Sequence, residues 1–372
     1  MSTFNADIVV IGAGIVGAAC AWRLAQRGLK VIVVEQGAPA HGSSSRGAGG
    51  VRAQFNTATN ILLSRESIAE YADMPGSGYQ PAGYLMLVPE AGWAAAQEAL
   101  ALQRSLGIPS EQLTFQDAQR FVAFDPSGLG GCSHCPIDGY VDPPTLTRAF
   151  VSQAQEAGAQ FLLHTNVDRI EQRGGLWEIG TPAGTVSAPQ LLNASGAWAG
   201  QVGALAGLDL PVRPARRMVF ATLALSPAPQ LPFVFDLESG VWIRSKGDRV
   251  LLGRADANDT GWREDLDWNW LVPTLQLAVR RFPWLESVGF DRQASWFGYY
   301  EVTPDHQPLL GRMPGVDGWL NACGFSGHGV MQAAATARVM AQEACGEAPF
   351  IDIDPLRYDR FQRGTAVMDM QL

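Results

Sequence analysis

Charge is scarce in this sequence, and positive charge scarcest. Only 17% of the 372 residues are charged, and 27 Lys and Arg stand against 36 Asp and Glu, a formal net charge of −9. Such a surface repels nucleic-acid phosphates, and no basic stripe overrides it, so a nucleic-acid partner is excluded. Cysteines are few and odd in number: Cys20, Cys132, Cys135, Cys323 and Cys345, without the regular spacing of a disulfide framework. Cys132-Ser-His-Cys135 is a CxxC, but no second ligand pair stands at a zinc spacing. Its neighbours Gly131 and Pro136 read as loop, so a structural role outweighs a redox or metal role, and no metal site is expected. No run reaches the roughly 20 apolar residues of a membrane span. Ile8 to Trp22 is apolar but shorter, and it lacks the basic flank of a signal peptide. A soluble cytoplasmic protein is the expectation.

Apolar residues and glycine are plentiful. Hydrophobic residues make up 47% of the chain, enough for a large core and too many for a disordered one. At this length two domains are expected. The 41 glycines fit a backbone that approaches a ligand closely.

Ile8-Val9-Val10-Ile11 reads as a buried parallel strand. Gly12-Ala13-Gly14-Ile15-Val16-Gly17 follows and opens a helical pattern that Gly28 is placed to end. Val31-Ile32-Val33-Val34 reads as a second strand, closed by Glu35 and Gln36. Gly12 permits the tight turn, Gly14 lets the backbone approach a pyrophosphate, and Gly17 allows helix to pack on strand. The first helical residues, Ile15 and Val16, offer unpaired N–H groups to phosphates. Glu35 stands 18 residues after Gly17 (35 − 17), near the roughly 20 expected of the acid that holds the ribose hydroxyls. An acid there disfavours NADP.

The choice between NAD and FAD rests on two further segments. Gly42 to Arg52 is a loop of small residues with two arginines, where NAD enzymes continue with ordinary βαβ units. In this loop Ser44 and Ser45 are placed to hydrogen-bond phosphates, Ser43 and Arg46 to contact the cofactor, and Gly49 and Gly50 to approach a flavin ring; a flexible linker is the alternative. Near the other end, Gly324-Phe325-Ser326-Gly327-His328-Gly329 feeds an Ala-rich helix beginning with Val330 and Met331. A helix N-terminus there stabilises the negative charge of a reduced flavin. FAD is therefore the expected cofactor, and a NAD-dependent dehydrogenase would leave both segments unexplained.

With Asn193-Ala194-Ser195-Gly196-Ala197-Trp198 and Tyr300-Glu301-Val302-Thr303-Pro304-Asp305 added, the chain resembles the D-amino-acid oxidase superfamily of flavoproteins. Within it, the chain is most similar to the branch of sarcosine oxidases, glycine oxidase and proline dehydrogenase catalytic subunits. The resemblance implies an α/β architecture: a Rossmann-type FAD domain built from residues 1–75, 140–210 and 305–372. A mostly antiparallel substrate domain, residues 76–139 and 211–304, would be inserted into it. Short alternating runs at 217–220, 241–243 and 250–252 agree with that sheet. The resemblance further implies an adenine-side backbone contact at Val167 and cofactor contacts at Ala194, Ser195, Gly196 and Trp198.

It also implies a chemistry: hydride transfer from the carbon beside the nitrogen of a small amino acid or secondary amine to flavin N5, giving an imine that hydrolyses. The partners are then that amine and O2 or another electron acceptor, with homo- or hetero-oligomers allowed. Arg52 matches a carboxylate-binding Arg of monomeric sarcosine oxidase, or is a loop-steadying Arg. Tyr300 stands where glycine oxidase has Arg, which favours secondary amines; an aromatic packed over the flavin is the alternative. Gly298 replaces a Cys that carries covalent flavin, so FAD is non-covalent there. Met331 replaces a carboxylate-contacting Lys. His328 is placed beside the flavin or caps its turn. A dehydrogenase subunit with electron-carrying partner chains, or a flavin-binding assembly factor, remain alternatives.

Overall fold

A computed structural model describes residues 3–365. The expected FAD-domain segments 1–75 and 305–372 therefore each extend slightly outside the described residues.

The predicted opening strand and helix form as β1 (Ile8–Ile11), α1 (Ile15–Gln26) and β2 (Val31–Val34). Gly28, at φ +81°, stands just past α1, where a residue with a side chain would be strained. β1 and β2 lie inside a six-stranded sheet in the order Leu309–Arg312, Trp319–Cys323, Gln190–Asn193, β1, β2, Gln160–Leu162. All pairings are parallel except that of the edge strand Leu309–Arg312. A central parallel strand is covered on both faces, which explains the unbroken apolar run of β1. Ile8 and Val10 point to α1 and its neighbouring helices, and Val9 and Ile11 to the opposite face. That opposite face packs on Trp177, Ile179 and Val186 of a small four-stranded sheet.

The second large sheet has eight strands and begins with β3 (Arg213–Thr222), β4 (Arg249–Arg254) and the long edge strand β5 (Phe290–Val302). It is antiparallel except where Phe233–Asp236 meets Tyr84–Pro89. Its outer face buries Phe220, Ile243 and Leu252 with the helix Leu271–Arg281. Its inner face carries a ladder of aromatics in which Tyr84 stacks on Phe233 at 4.5 Å and Phe233 meets Trp242 at 5.0 Å. The Ala-rich helix α2 (Gly329–Ala344) packs beside α1 against the first sheet, and small side chains allow that close approach. The architecture is thus α/β, with a parallel sheet and a mostly antiparallel one.

The CxxC does not lie in a loop. Cys132 and Cys135 belong to the strand Leu129–Cys135, because Gly130 and Gly131 give space to the Trp93 ring. Three residues apart on a strand, the two thiols point to opposite faces and join different cores. Burial pushes the Cys132 thiol up to about 12.

Candidate active site

A cavity of about 500 Å³ lies at the carboxyl ends of β1 and β2, between the parallel sheet and the inner face of the antiparallel one. That is the position where open α/β sheets bind ligands, and the volume suits a small-molecule site.

At one end Gly12, Gly14, Ile15 and Val16 line it. Gly12 has φ +104°, and a Cβ there would meet the Ala194 carbonyl oxygen at 2.5 Å. Gly17 does not line the cavity: its Cβ would meet the Gly12 carbonyl oxygen at 2.0 Å, so the helix packs on the turn through its missing side chain. The N-cap of α1 is Gly14, which supplies no side-chain cap. The Ile15 N–H instead donates to Ser44 Oγ at 2.9 Å, across the mouth of the cavity. Glu35 accepts from the Ala13 N–H at 2.7 Å and from the Gly37 N–H at 2.8 Å, one bond to each oxygen. A carboxylate oxygen holds two lone pairs, so both remain able to accept from hydroxyls. Gln36, Val167, Ala194, Ser195, Gly196 and Trp198 complete this end.

The Ser/Gly loop divides. Ser43, Ser44 and Arg46 line the cavity. Ser45 turns back, its hydroxyl donating to the His41 and Gly42 carbonyls at 3.2 and 3.1 Å. Gly49 and Gly50 lie behind the wall: a Cβ on Gly49 would meet the Val141 carbonyl oxygen at 2.3 Å, and one on Gly50 the Tyr84 hydroxyl at 1.9 Å. The Arg46 carbonyl accepts from Trp296 Nε1 at 2.8 Å, which ties the loop to β5.

At the other end the cavity is closed by Arg217, Gly298, Tyr300, Glu301, Gly327, Gly329 and Val330. Tyr300 rests on the turn before α2, where a Cβ on Gly327 would meet its ring at 2.4 Å. Burial raises the Tyr300 phenol, against the opposing pull of Arg217 and Arg52, so it remains a neutral donor. Glu301 Oε2 accepts from the Gly324 N–H at 2.8 Å, and burial lifts its carboxyl to about 7. Gly324, Phe325 and Met331 lie beneath the turn rather than on the cavity wall. Position 298 offers no sulfur, and a Cβ there would meet Arg46 Cβ at 2.8 Å.

Arg52 lines no part of this cavity. It is buried, with its guanidinium 3.9 Å from the Phe55 ring centroid, hydrogen-bonded to the Gln54 carbonyl and 3.4 Å from His328 Nε2. His328 in turn meets Phe55 edge-on at 5.1 Å and lines a second cavity next door. Arg217, Arg254, Glu301 and His306 did not stand out in the sequence, although all four border one or both cavities. The available signal was Arg216-Arg217 on an alternating strand, which must send one guanidinium to each face.

The residues present fit FAD. Two helix N-termini whose N-cap residues supply no side-chain cap reach one cavity, glycines line it, and an acid closes β2. Among the described residues, no helix is long and apolar enough to cross a membrane.

Comparison with known proteins agrees. Mouse (Mus musculus) mitochondrial sarcosine dehydrogenase is 27% identical over 357 residues, 88% of this chain but only 38% of that protein. The chain thus spans well under half of that relative. Glycine oxidase of Geobacillus kaustophilus (strain HTA426) is 28% identical, with 96% of this chain and 98% of that one covered. The crystal structure of L-proline dehydrogenase from P. horikoshii superposes with a TM-score of 0.91 at 28% identity, over 98% of this chain and 99% of that one. The FAD dependent oxidoreductase family model matches residues 7–343, and the chain belongs to that family of FAD-dependent oxidoreductases.

Proposed function

We propose that the protein oxidises the C–N bond of a small amino acid or secondary amine. The observation that carries this reading is the shared wall of the two cavities, where Tyr300 and Arg217 face both. A neutral phenol beside a guanidinium, 5.1 Å from its ring, suits a carboxylate held next to a carbon that must be oriented. Relatives named for sarcosine, glycine and proline support the same substrate class.

Bound FAD supplies the two-electron acceptor. This chain's residues bind and orient. The carbon gives up its hydrogen with the electron pair, the nitrogen loses a proton, and the resulting imine hydrolyses. Tyr300 donates to the substrate, and His328 lines the chamber it occupies. Arg52 acts through His328, which it steadies from beneath. Glu35 takes the ribose hydroxyls, the α1 N-terminus with Ser43 and Ser44 takes the pyrophosphate, and Val167 takes the adenine side. The α2 N-terminus, with Gly327, Gly329 and Val330, faces the flavin end, where FAD is held without a covalent bond at Gly298.

The working division follows the two large sheets: residues 1–75, 140–210 and 305–372 for FAD, and 76–139 and 211–304 for substrate. O2 or another acceptor, including a partner chain, removes the electrons. Five cysteines without a disulfide support placement in the reducing cytoplasm.

The test is a deuterium isotope effect. Replacing the hydrogen on the carbon beside nitrogen should slow anaerobic flavin reduction by the best substrate in a panel of amines. Equal rates for the two isotopologues, with reduction still first-order and saturable, would count against C–H cleavage at that carbon.

A further inference from the structure

The second cavity has a volume of about 580 Å³ and opens beside the first. Its walls hold Arg213, Arg217 and Arg254 with His306 and His328, and no Asp or Glu lines it. This is unusual in a chain of net charge −9. Arg216, on the opposite face of the same strand as Arg217, shows the ordinary arrangement: Asp259 holds it at 2.8 Å and Asp265 at 2.6 Å. Among the described residues, Arg213, Arg217 and Arg254 have no carboxylate at ion-pair distance.

The hydrogen bonds of Arg217 and Arg254 are also incomplete. The Nε atoms of Arg217 and Arg254 are buried without a partner among the described residues. Arg217 spends Nη1 on the Arg216 and Asp256 carbonyls, and Arg254 lies over the Trp270 ring at 4.2 Å. A buried guanidinium N–H left unpaired costs free energy, so these two cations are held at the cavities without their full set of partners. Burial lowers the pKa of both arginines, the mark of charges taken from water without full compensation. Arg217, Arg254 and Tyr300 line both cavities, so this positive chamber adjoins the place where chemistry is proposed.

One carboxylate is matched by one guanidinium fork. Three arginines in one chamber exceed what a monocarboxylic amino acid uses. We propose that the second cavity makes this a site for dicarboxylic substrates: amino acids or secondary amines with a second carboxylate on the side chain or on the nitrogen substituent. Arg217, at the junction, takes the carboxylate next to the reacting carbon. Arg254 takes the distal carboxylate, and exposed Arg213 draws the dianion in. This rests on the C–N oxidation reading for its chemistry, but the anion site can be tested without turnover.

Glutarate and butyrate, unreactive probes of similar length, are titrated into the FAD-loaded protein by calorimetry. Glutarate should bind about tenfold tighter or better, and Arg254→Gln should remove most of that preference, while exposed Arg27→Gln should leave it intact. Iminodiacetate should likewise bleach the flavin at lower concentration than sarcosine. If glutarate binds no tighter than butyrate and sarcosine performs as well as iminodiacetate, the dicarboxylate inference falls and C–N oxidation stands. If no amine bleaches the flavin but the glutarate preference and its Arg254 dependence hold, the anion site stands and the oxidation reading falls.

Discussion

Successive side chains on β3 point to opposite faces, so Arg216 and Arg217 meet different surroundings. Arg216 enters an acidic cluster away from the cavities, while Arg217 lies beside Tyr300. Replacing Arg217 by Gln should raise KM for a carboxylate substrate roughly 10- to 100-fold with a smaller effect on kcat, the pattern of lost binding rather than lost chemistry. Steady-state kinetics on the FAD-loaded variant checks this. Glu301 gives a pH prediction. Its carboxyl is lifted from an ordinary 4.5 to about 7 by burial, so the folded state holds a proton that the unfolded state releases. Its contribution is fully present below pH 4.5 and is lost as pH rises through about 7. Glu301→Gln should flatten that part of the stability profile of the FAD-free protein, measured by denaturant midpoints from pH 4.5 to 7.5. An unchanged slope would mean that other groups set it. These two residues also show why the site was only partly legible. The Gly-rich turns and Glu35 announce themselves by spacing, because a phosphate cradle needs a fixed local sequence. Arg217, Arg254 and His306 are brought together by pairing and loop placement that no local pattern encodes. Arg52, legible through resemblance, lies beneath the wall and not on it.

At the scale of elements, the turn between β1 and α1 leaves no space for added side chains at Gly12 and Gly17. Gly17 closes it: a Cβ there would lie 2.0 Å from the Gly12 carbonyl oxygen, which is backbone and cannot swing aside. Gly17→Ala should therefore push α1 off the sheet, costing about 1–3 kcal/mol of stability. It should lower FAD occupancy as well, because the same helix N-terminus lines the cavity. Denaturation and the flavin-to-protein absorbance ratio read the two effects separately. β1, β2 and α1 match their sequence readings because burial on both faces and the glycine punctuation are local signals. The CxxC segment was read as loop because its neighbours Gly131 and Pro136 look like loop residues. Gly131, like Gly130 before it, is a strand residue whose missing side chain leaves space for Trp93.

Across the whole molecule, the parts that bear on the site come from distant stretches of chain. Arg360, near the end of the described residues, is 1% exposed and pairs with Asp305 at 2.7 and 3.0 Å. It also donates to the Gln307 carbonyl at 3.0 Å. It thereby pins the turn that follows β5, the strand that carries Tyr300 and Glu301. Arg360→Ala leaves the Asp305 carboxylate buried without its ion pair, held by the Thr303 hydroxyl and the Gln307 N–H, and should cost about 3–5 kcal/mol. Chemical denaturation should show this loss, and a change below 1 kcal/mol would mean that the turn holds without the pair. The two-sheet architecture was legible from texture, apolar runs against alternating ones. The stacking of Tyr84 on Phe233 was not, since these two residues are far apart in sequence and meet only when the sheet forms.

The central claim is tested most directly by the visible spectrum of the purified protein, recorded anaerobically before and after addition of sarcosine, glycine, L- and D-proline, iminodiacetate and several D-amino acids. C–N oxidation at this site predicts a yellow protein whose flavin band is bleached rapidly by at least one of them. A flavin-loaded protein that none of them reduces, with dithionite still bleaching it, would contradict that claim.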